Sequence, residues 1–183
     1  TIAQALAQAD CSASDIAYVE LSALADANAN AAECTGLIES YASNHRLHTA
    51  LGGLRAITGD AAGLSQVAGL LKTGLVLHQR FIPGINDWQA PKSDSWQHSA
   101  FYMPTESRPW FHQGSKPAMA AYSCMTEENY CHVIVAENSD ELQRNNGYLA
   151  NSDLAMVLVR ADQQAALLEQ LAQLQQRLAT DTL

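Results

Sequence analysis

Histidines and serines are the side chains of this sequence best suited to acid–base or nucleophilic chemistry. No histidine pair has the H-E-x-x-H spacing of a zinc protease, and no serine lies in a G-x-S-x-G turn. A general base also needs an orienting partner and a cleft, and the sequence around each histidine indicates neither. The candidates are Ser22, Ser65, Ser107, Ser123, His45, His48, His78, His98, His112 and His132. We therefore expect each histidine to be structural.

Two turn positions have residue types that favour contact with a ligand or with backbone. Asp60 follows Gly59 and precedes an Ala/Gly-rich helix start. It therefore caps that helix or presents a carboxylate where active-site groups are often displayed, and capping is the favoured interpretation. The Gly52-Gly53 pair predicts close backbone packing or a bulge, because the sequence has no G-x-G-x-x-G or Walker pattern.

The four cysteines do not form a metal-binding framework. Their only close spacing is C-x6-C, which matches no zinc pattern. They are Cys11, Cys34, Cys124 and Cys131. We expect free buried thiols, with a disulfide as the alternative that no feature of the sequence supports, and neither a metal site nor a cofactor bound by this segment.

Charge and composition exclude several classes of protein. The formal net charge is −9, and Arg46 is the first basic residue. A nucleic-acid binder needs a basic face, and an anionic membrane surface also repels such a chain. No run reaches the length of a membrane span and no signal peptide is visible, so the cytoplasm is the expected compartment. The start without Met indicates a fragment of a longer chain.

Helical and strand-like segments alternate along the sequence, which is typical of an α/β fold. The 62–80 helix is apolar on most sides and is expected to be buried, with Pro83 and Gly84 ending it. The Trp/Pro-rich segment 84–117 either binds a partner or, as we favour, packs its three tryptophans as an internal strap. The helices are predicted at 1–10, 31–43, 62–80 and 162–178, the last with Leu167, Leu168, Leu171, Leu174 and Leu178 inward. The strands are predicted at 16–21, 49–54, 118–123, 130–136 and 154–159.

Five segments, in this order, resemble the C-terminal half of β-ketoacyl synthases, which have the thiolase-like fold. Tyr18–Leu24 (YVELSAL) resembles the family's Y-V-E-A-H-G-T, and Arg55–Asp60 (RAITGD) stands where the family has K-S-N-I-G-H. The other three are Val67–Thr73 (VAGLLKT), Phe101–Trp110 (FYMPTESRPW) and Tyr130–Glu137 (YCHVIVAE). The resemblance implies a thiolase-like half, a layered α/β/α arrangement with a mixed sheet.

The resemblance also implies that the catalytic positions are degenerate. The family's two histidines align with Ser22 and Asp60, and its active-site lysine aligns with Arg55. Its Gly-Phe-Gly-Gly turn aligns with residues 125–128, which contain no glycine, and its nucleophilic cysteine belongs to the N-terminal half. Two neutral imidazoles normally donate hydrogen bonds to the enolate formed in malonyl decarboxylation. We therefore expect no catalytic residue here; a hydrolase using Asp60 or His132 is a remote alternative.

The amino-acid sequence of the aromatic segment resembles that of the ketosynthase-like/acyltransferase subunits of bacterial omega-3 polyunsaturated fatty acid synthases. The resemblance implies a degenerate ketosynthase-like domain at 1–137 and, at 138–183, a linker strand and helix leading to an acyltransferase. It implies a scaffold or docking role, with acyl carrier proteins bearing phosphopantetheine and other synthase subunits as partners, and dimerisation through the thiolase-like half. A chain-length-factor-like partner of an active ketosynthase is the alternative.

Overall fold

The computed structural model describes residues 1–85, 88, 96, 98–111, 116–126, 129–138, 157, 159–161 and 163–180, without the side chains of 178–180. The chain divides into two compact units, Thr1–Tyr148 and Leu149–Leu183. The domain boundary expected after residue 137 stays a prediction, because residues 139–156 lie outside the described part.

The first unit alternates helices and strands much as the sequence predicts. Its helices are α1 Ile2–Gln8, α2 Ala27–Ser40, α3 Leu54–Thr58 and α4 Gly63–Gln79. Its strands are β1 Ile16–Glu20, β2 Thr49–Gly52, β3 Phe81–Ile82, β4 Phe101–Tyr102, β5 Arg108–Pro109, β6 Met119–Met125 and β7 Tyr130–Ala136. The α3 helix was not predicted.

A mixed sheet forms the centre of the first unit. Its strand order is β4-β2-β1-β6-β7, with β4, β2, β1 and β6 parallel and β7 antiparallel to β6. A small antiparallel pair, β3 with β5, lies apart from it. The predicted α/β class with a mixed sheet is confirmed.

Side chains of the central strands alternate between two hydrophobic cores, because successive strand residues point to opposite faces. Val19 and Leu51 belong to the core that contains α2, and Tyr18 and Ala50 to the core that contains α4. The first core also holds Ile2, Leu37, Tyr41 and Ala121, and the second holds Val76, Leu77, Trp110 and Ala120. Helices therefore cover both faces of the sheet, which is the expected α/β/α layering.

Two elements begin or end at residues other than those predicted, because side-chain oxygens accept hydrogen bonds from backbone amides there. The α2 helix begins four residues before the predicted start, since Oδ1 of Asp26 accepts a hydrogen bond from the Ala29 amide at 2.8 Å. The strand predicted at 49–54 ends at Gly52, and Leu54 begins α3 with its amide donating to Glu20. A side chain at Gly52 would overlap the Tyr18 hydroxyl and the Glu20 carboxylate, which confirms the close backbone packing predicted there.

The prediction that the helix at 62–80 is buried on most sides is wrong for this chain. Only Gly69, Thr73, Val76 and Leu77 of α4 are buried, while Leu64, Val67, Leu70, Leu71 and Leu75 are 43–68% exposed. The helix also ends before Pro83, because Arg80 adopts the left-handed conformation at φ 47°. Arg80 Nη2 forms a buried ion pair with Glu137 at 2.6 Å.

The aromatic segment is an internal strap over most of its described residues. Trp96 packs edge-on against Phe101 with ring centroids 5.7 Å apart, and Trp110 is 9% exposed. Trp88 is 37% exposed, so the prediction that all three tryptophans pack inward is wrong for this one.

The described part of the second unit is mainly α5, Gln164–Thr180. Leu167 and Leu174 are half-buried, whereas Leu168 and Leu171 are 59% and 44% exposed, so the predicted inward face is only partly correct. The Leu178 side chain and most of the predicted 154–159 strand lie outside the described residues.

Candidate functional site

The predicted site residues lie at one edge of the sheet, where the parallel strands β1, β2 and β6 end. Ser22 follows β1 by two residues, Arg55 lies in α3 directly after β2, and Asp60 follows α3. The carboxyl ends of parallel strands are the usual place for binding sites in α/β proteins. The fold therefore puts the three predicted positions at the edge where chemistry is expected.

The hydroxyl of Ser22 is fully engaged with backbone. Its Oγ accepts a hydrogen bond from the Met125 amide at 3.0 Å and donates one to the Met125 carbonyl at 3.2 Å. The residue is 4% exposed. Ser22 thus fastens the loop after β1 to the end of β6 and has no free proton to offer a substrate.

Glu33, which the sequence analysis missed, holds the same loop from the other side. Its Oε1 accepts from the Ser22 amide at 2.8 Å, and its Oε2 accepts from the Ala23 amide at 3.1 Å. Burial raises the pKa of Glu33, while the two amides and the nearby Arg55 charge oppose that rise. The signal was present: Glu33 precedes Leu37 and Tyr41 by one and two helical turns, on the buried face.

Arg55 and Asp60 form an ion pair. Arg55 Nε lies 3.4 Å from Asp60 Oδ1, with the Arg55 side chain 9% exposed and that of Asp60 51% exposed. Among the described residues, Nε and Nη1 of Arg55 have no hydrogen-bond partner. The guanidinium is therefore largely buried, with its charge opposed by Asp60 and with two of its nitrogens not hydrogen-bonded to any described residue.

Asp60 does not cap α4 as predicted. The N-cap residue is Ala62, which has a φ of 51°. Asp60 Oδ1 instead accepts from the Ala62 amide at 2.9 Å and from the Ser65 hydroxyl at 3.4 Å. The carboxylate stabilises the turn before the helix, because it accepts from the amide of the N-cap residue Ala62 rather than from an amide of the first helical turn.

A second ion pair, Glu20 with Lys72, lies deeper under the site. Lys72 Nζ of α4 is 2.8 Å from Glu20 Oε2, and the Glu20 residue is fully buried. The same carboxylate accepts from the Tyr18 hydroxyl and, at 2.5 Å, from the Leu54 amide. Burial and the Glu20 charge raise the pKa of Tyr18. The pair links β1, α3 and α4. Both residues lie within motifs identified in the sequence, but the sequence did not show that they are in contact.

His132 belongs to a buried hydroxyl cluster on β6 and β7. Its Nδ1 is 3.1 Å from Ser123 Oγ and 3.3 Å from the Tyr130 hydroxyl, and its Nε2 is 3.3 Å from the Tyr41 hydroxyl. Burial lowers the pKa of His132 to about 4. Ser123 is fully buried and His132 is 8% exposed, so this serine–histidine contact is structural.

The remaining histidines do not assemble a site in the described part of the chain. His48 Nε2 contacts the Ser14 carbonyl oxygen at 3.0 Å, and His45, His78 and His98 are exposed. His112 lies outside the described residues. Over the same described positions, no three His, Cys, Asp or Glu residues are placed to hold a metal ion, and no helix is long and apolar enough to cross a membrane.

A cavity of about 730 Å³ lies away from the predicted site, beside the amino ends of β1 and β6. Aromatic and charged side chains share its wall. Among them are Asp15, His48, Arg108, Trp110, Phe111 and Lys116. Ser22, Arg55 and Asp60 do not line this cavity.

Comparison with known proteins shows which family and which fold the chain resembles. Residues 1–88 match the family model of the β-ketoacyl synthase C-terminal domain. A ketosynthase from module 6 of the bacillaene synthase of Bacillus subtilis superposes with a TM-score of 0.67 at 20% identity, covering 73% of this chain and 25% of that one. An oxazolomycin ketosynthase domain from Streptomyces albus superposes with a TM-score of 0.65 at 23% identity, covering 75% and 37%. The first unit thus has the thiolase-like ketosynthase fold.

A curated relative is similar in sequence over a longer part of the chain. A polyunsaturated fatty acid synthase subunit of a Thraustochytrium species is 26% identical over 138 residues, which is 74% of this chain and 7% of the relative. Residues 1–88 are therefore similar to the β-ketoacyl synthase C-terminal domain, and 74% of the chain is similar in sequence to a polyunsaturated fatty acid synthase subunit. It spans only a small part of the length of these larger proteins.

Proposed function

We propose that this chain is a non-catalytic ketosynthase-like scaffold within a multidomain polyunsaturated fatty acid synthase subunit whose acyltransferase lies further along the polypeptide. The observation that carries the proposal is the bonding of Ser22. Its hydroxyl is committed to both backbone groups of Met125 and cannot donate to an enolate. The relative's name and the ketosynthase fold support the assignment to such a synthase.

The second catalytic position supports the same conclusion through its charge. Decarboxylation of a malonyl thioester builds negative charge on an enolate oxygen, which preorganised donors stabilise by a few kcal/mol each. In the resemblance, Asp60 occupies the position of the second histidine, and its carboxylate lies 3.4 Å from Arg55 Nε. A carboxylate has no proton to donate to a developing oxyanion and repels it, so Asp60 opposes the chemistry that two imidazoles promote.

The test is release of carbon dioxide from malonyl-acyl carrier protein by this chain assembled with a complementary N-terminal ketosynthase half. We expect release at the rate of buffer alone, with an active ketosynthase as the positive control. Release above buffer that requires this chain would overturn the proposal.

The exposed face of α4 supports a docking role. It presents five apolar side chains and no ionised one, on a chain whose formal charge is −9. These are Leu64, Val67, Leu70, Leu71 and Leu75, defined here as the α4 face. An exposed apolar stripe of this length marks a protein interface. The solved ketosynthases contain much more chain than this one matches, and we propose that an N-terminal ketosynthase half covers the α4 face.

The alternative is a chain-length-factor-like partner of a separate, active ketosynthase. The same α4 face would then dock a different polypeptide, and acyl carrier protein and other subunits would assemble around the pair. Co-expression with an active ketosynthase separates the two hypotheses. Altered product length in that pair favours the alternative, and no stable pair favours the scaffold.

A further inference from the structure

The β6–β7 hairpin places two cysteines directly opposite each other. Cys124 and Cys131 are register partners across the antiparallel pair, so their side chains project from the same face of the sheet. Cys124 is half-buried and Cys131 is exposed. The C-x6-C spacing noted in the sequence is thus a cross-strand thiol pair.

The hydrogen-bond pattern of the hairpin fixes the type of this pair. The Thr126 amide donates to the Asn129 carbonyl at 2.8 Å, and the Glu137 amide donates to the Ala118 carbonyl at 2.9 Å. Hydrogen-bonded pairs recur every second residue between these ends, which makes Cys124–Cys131 one of them, with Cα atoms about 5.5 Å apart. That separation lies within the range of about 4.4–6.8 Å for disulfides.

The side-chain separation makes such a bond easy to reverse. Opposed Cβ atoms of a hydrogen-bonded pair lie about 5.5 Å apart, whereas a disulfide prefers about 3.5–4.5 Å. Closing the bond therefore needs a local shift of the strands, and a strained disulfide is reduced more readily than a relaxed one.

We propose that Cys124 and Cys131 form a reversible redox site, which low-molecular-weight disulfides such as oxidised glutathione convert to a cross-strand disulfide. The exposed Cys131 sulfur attacks oxidised glutathione and forms a mixed disulfide, releasing one reduced glutathione. The Cys124 sulfur then attacks the Cys131 sulfur, forming the protein disulfide and releasing the second glutathione. Two protein thiols are oxidised, one glutathione disulfide is reduced, and both thiol protons end on the released glutathione.

The surroundings favour this pair over the other two cysteines. Burial and Glu33 raise the pKa of Cys34 to about 11, and burial with nearby Asp15 raises the pKa of Cys11. A thiol with a raised pKa has less reactive thiolate at neutral pH. The pair also lies on the sheet face that carries α4, since Tyr122, two residues before Cys124, packs against Gly69 of that helix.

The test uses the full chain in oxidised glutathione, followed by alkylation of free thiols and digestion after glutamate without reductant. Glu127 and Glu128 separate the two cysteines in sequence, so a disulfide appears as two linked peptides. We expect linked Cys124 and Cys131 peptides that reduced glutathione separates again. Separate glutathione adducts, linkage to Cys11 or Cys34, or two unmodified thiols would each overturn the proposal.

Two variants complete the test. Cys124→Ser removes the resolving thiol, so glutathione should accumulate on Cys131 and the linked peptides should vanish. Cys34→Ser is the matched control outside the hairpin, and it should leave the linkage unchanged. Loss of linkage in the Cys34→Ser protein, or no glutathione on Cys131 in Cys124→Ser, would contradict the assigned order of attack and overturn the pair.

Discussion

Single side chains at the strand ends make contacts that hold the loops after the strands in place. The hydroxyl of Ser22 bonds backbone groups, Glu33 accepts from two amides of the same loop, and Arg55 pairs with Asp60. The Ser22 hydroxyl and the Glu33 carboxylate therefore stabilise the end of the sheet through contacts within the fold, while two nitrogens of Arg55 have no hydrogen-bond partner among the described residues.

Ser22→Ala should destabilise the fold by about 1–3 kcal/mol, because it leaves the Met125 amide and carbonyl without their partner at a half-buried position. Urea unfolding monitored by circular dichroism measures the change. Ser14→Ala, at an exposed serine, is the control and should cost less than about 0.5 kcal/mol. Equal effects of the two substitutions would show that the Met125 contacts contribute nothing specific.

His132 should make stability depend on pH in the mildly acidic range. Burial keeps its pKa near 4 in the fold, below the value of about 6.5 expected when unfolded, so the unfolded state takes up the proton first. The contribution is fully present above about pH 6.5 and is lost progressively towards pH 4, by up to about 3 kcal/mol.

The measurement is the free energy of unfolding from pH 7 to pH 4 for the wild type and His132→Gln. The difference between the two proteins should shrink as the pH falls through that window. His98→Gln, at an exposed histidine, should follow the wild-type profile. A constant difference across the window would contradict a buried, neutral His132.

At the scale of elements, α4 is held to the sheet by a close approach and by one buried charge pair. Gly69 lies where a Cβ atom would come within 2.7 Å of Tyr122 Cε2, and Lys72 meets Glu20. The other side of the helix is the α4 face. One side of the helix therefore packs against the sheet, and the other side is exposed.

Gly69→Ala should destabilise the fold, because the ring of Tyr122 must move to admit the methyl group. The expected loss is about 1–3 kcal/mol by thermal or urea unfolding. Gly74→Ala is the matched change in the same helix; nothing lies within 4 Å of its Cβ, so helix propensity should stabilise it by about 0.5–1 kcal/mol. If both substitutions changed the free energy of unfolding in the same direction, the close packing of α4 against Tyr122 would be contradicted.

Lys72→Met should cost about 3–5 kcal/mol, since it leaves the fully buried Glu20 carboxylate without its cation. Lys116→Met is the control: that lysine is 82% exposed beside Asp15, and its loss should change stability by less than about 1 kcal/mol. Chemical unfolding of both variants at neutral pH decides the point. A small loss for Lys72→Met would show that Glu20 is not held as a buried anion.

The sequence predicts elements better than it predicts their surroundings. Hydrophobic spacing located β1, β6 and α4 within two residues, because core faces repeat with the period of the element. It did not reveal that Leu71 of α4 would be exposed, since periodicity shows which face is apolar but not what covers it. The contacts of Glu33 and Lys72 were also missed, because side chains meet there from segments distant in sequence.

For the molecule as a whole, the α4 face is the exposed apolar surface that we propose a partner covers. Leu71→Asp should abolish assembly with a complementary N-terminal ketosynthase half, because it places a charge in the centre of an apolar interface. Leu47→Asp changes a 52% exposed leucine elsewhere in the same unit and should leave assembly intact. Analytical ultracentrifugation of the mixtures measures this, and equal assembly of both variants would exclude the α4 face.

The central claim is that the strand-end residues keep the ketosynthase fold but do not support its chemistry. The most direct measurement is the rate of malonyl-acyl carrier protein decarboxylation by the assembled wild-type domain, beside the same assembly carrying Ser22→His and Asp60→His. We predict that the wild-type assembly does not exceed buffer. A wild-type rate above buffer that falls when Ser22 or Asp60 is replaced would contradict the account.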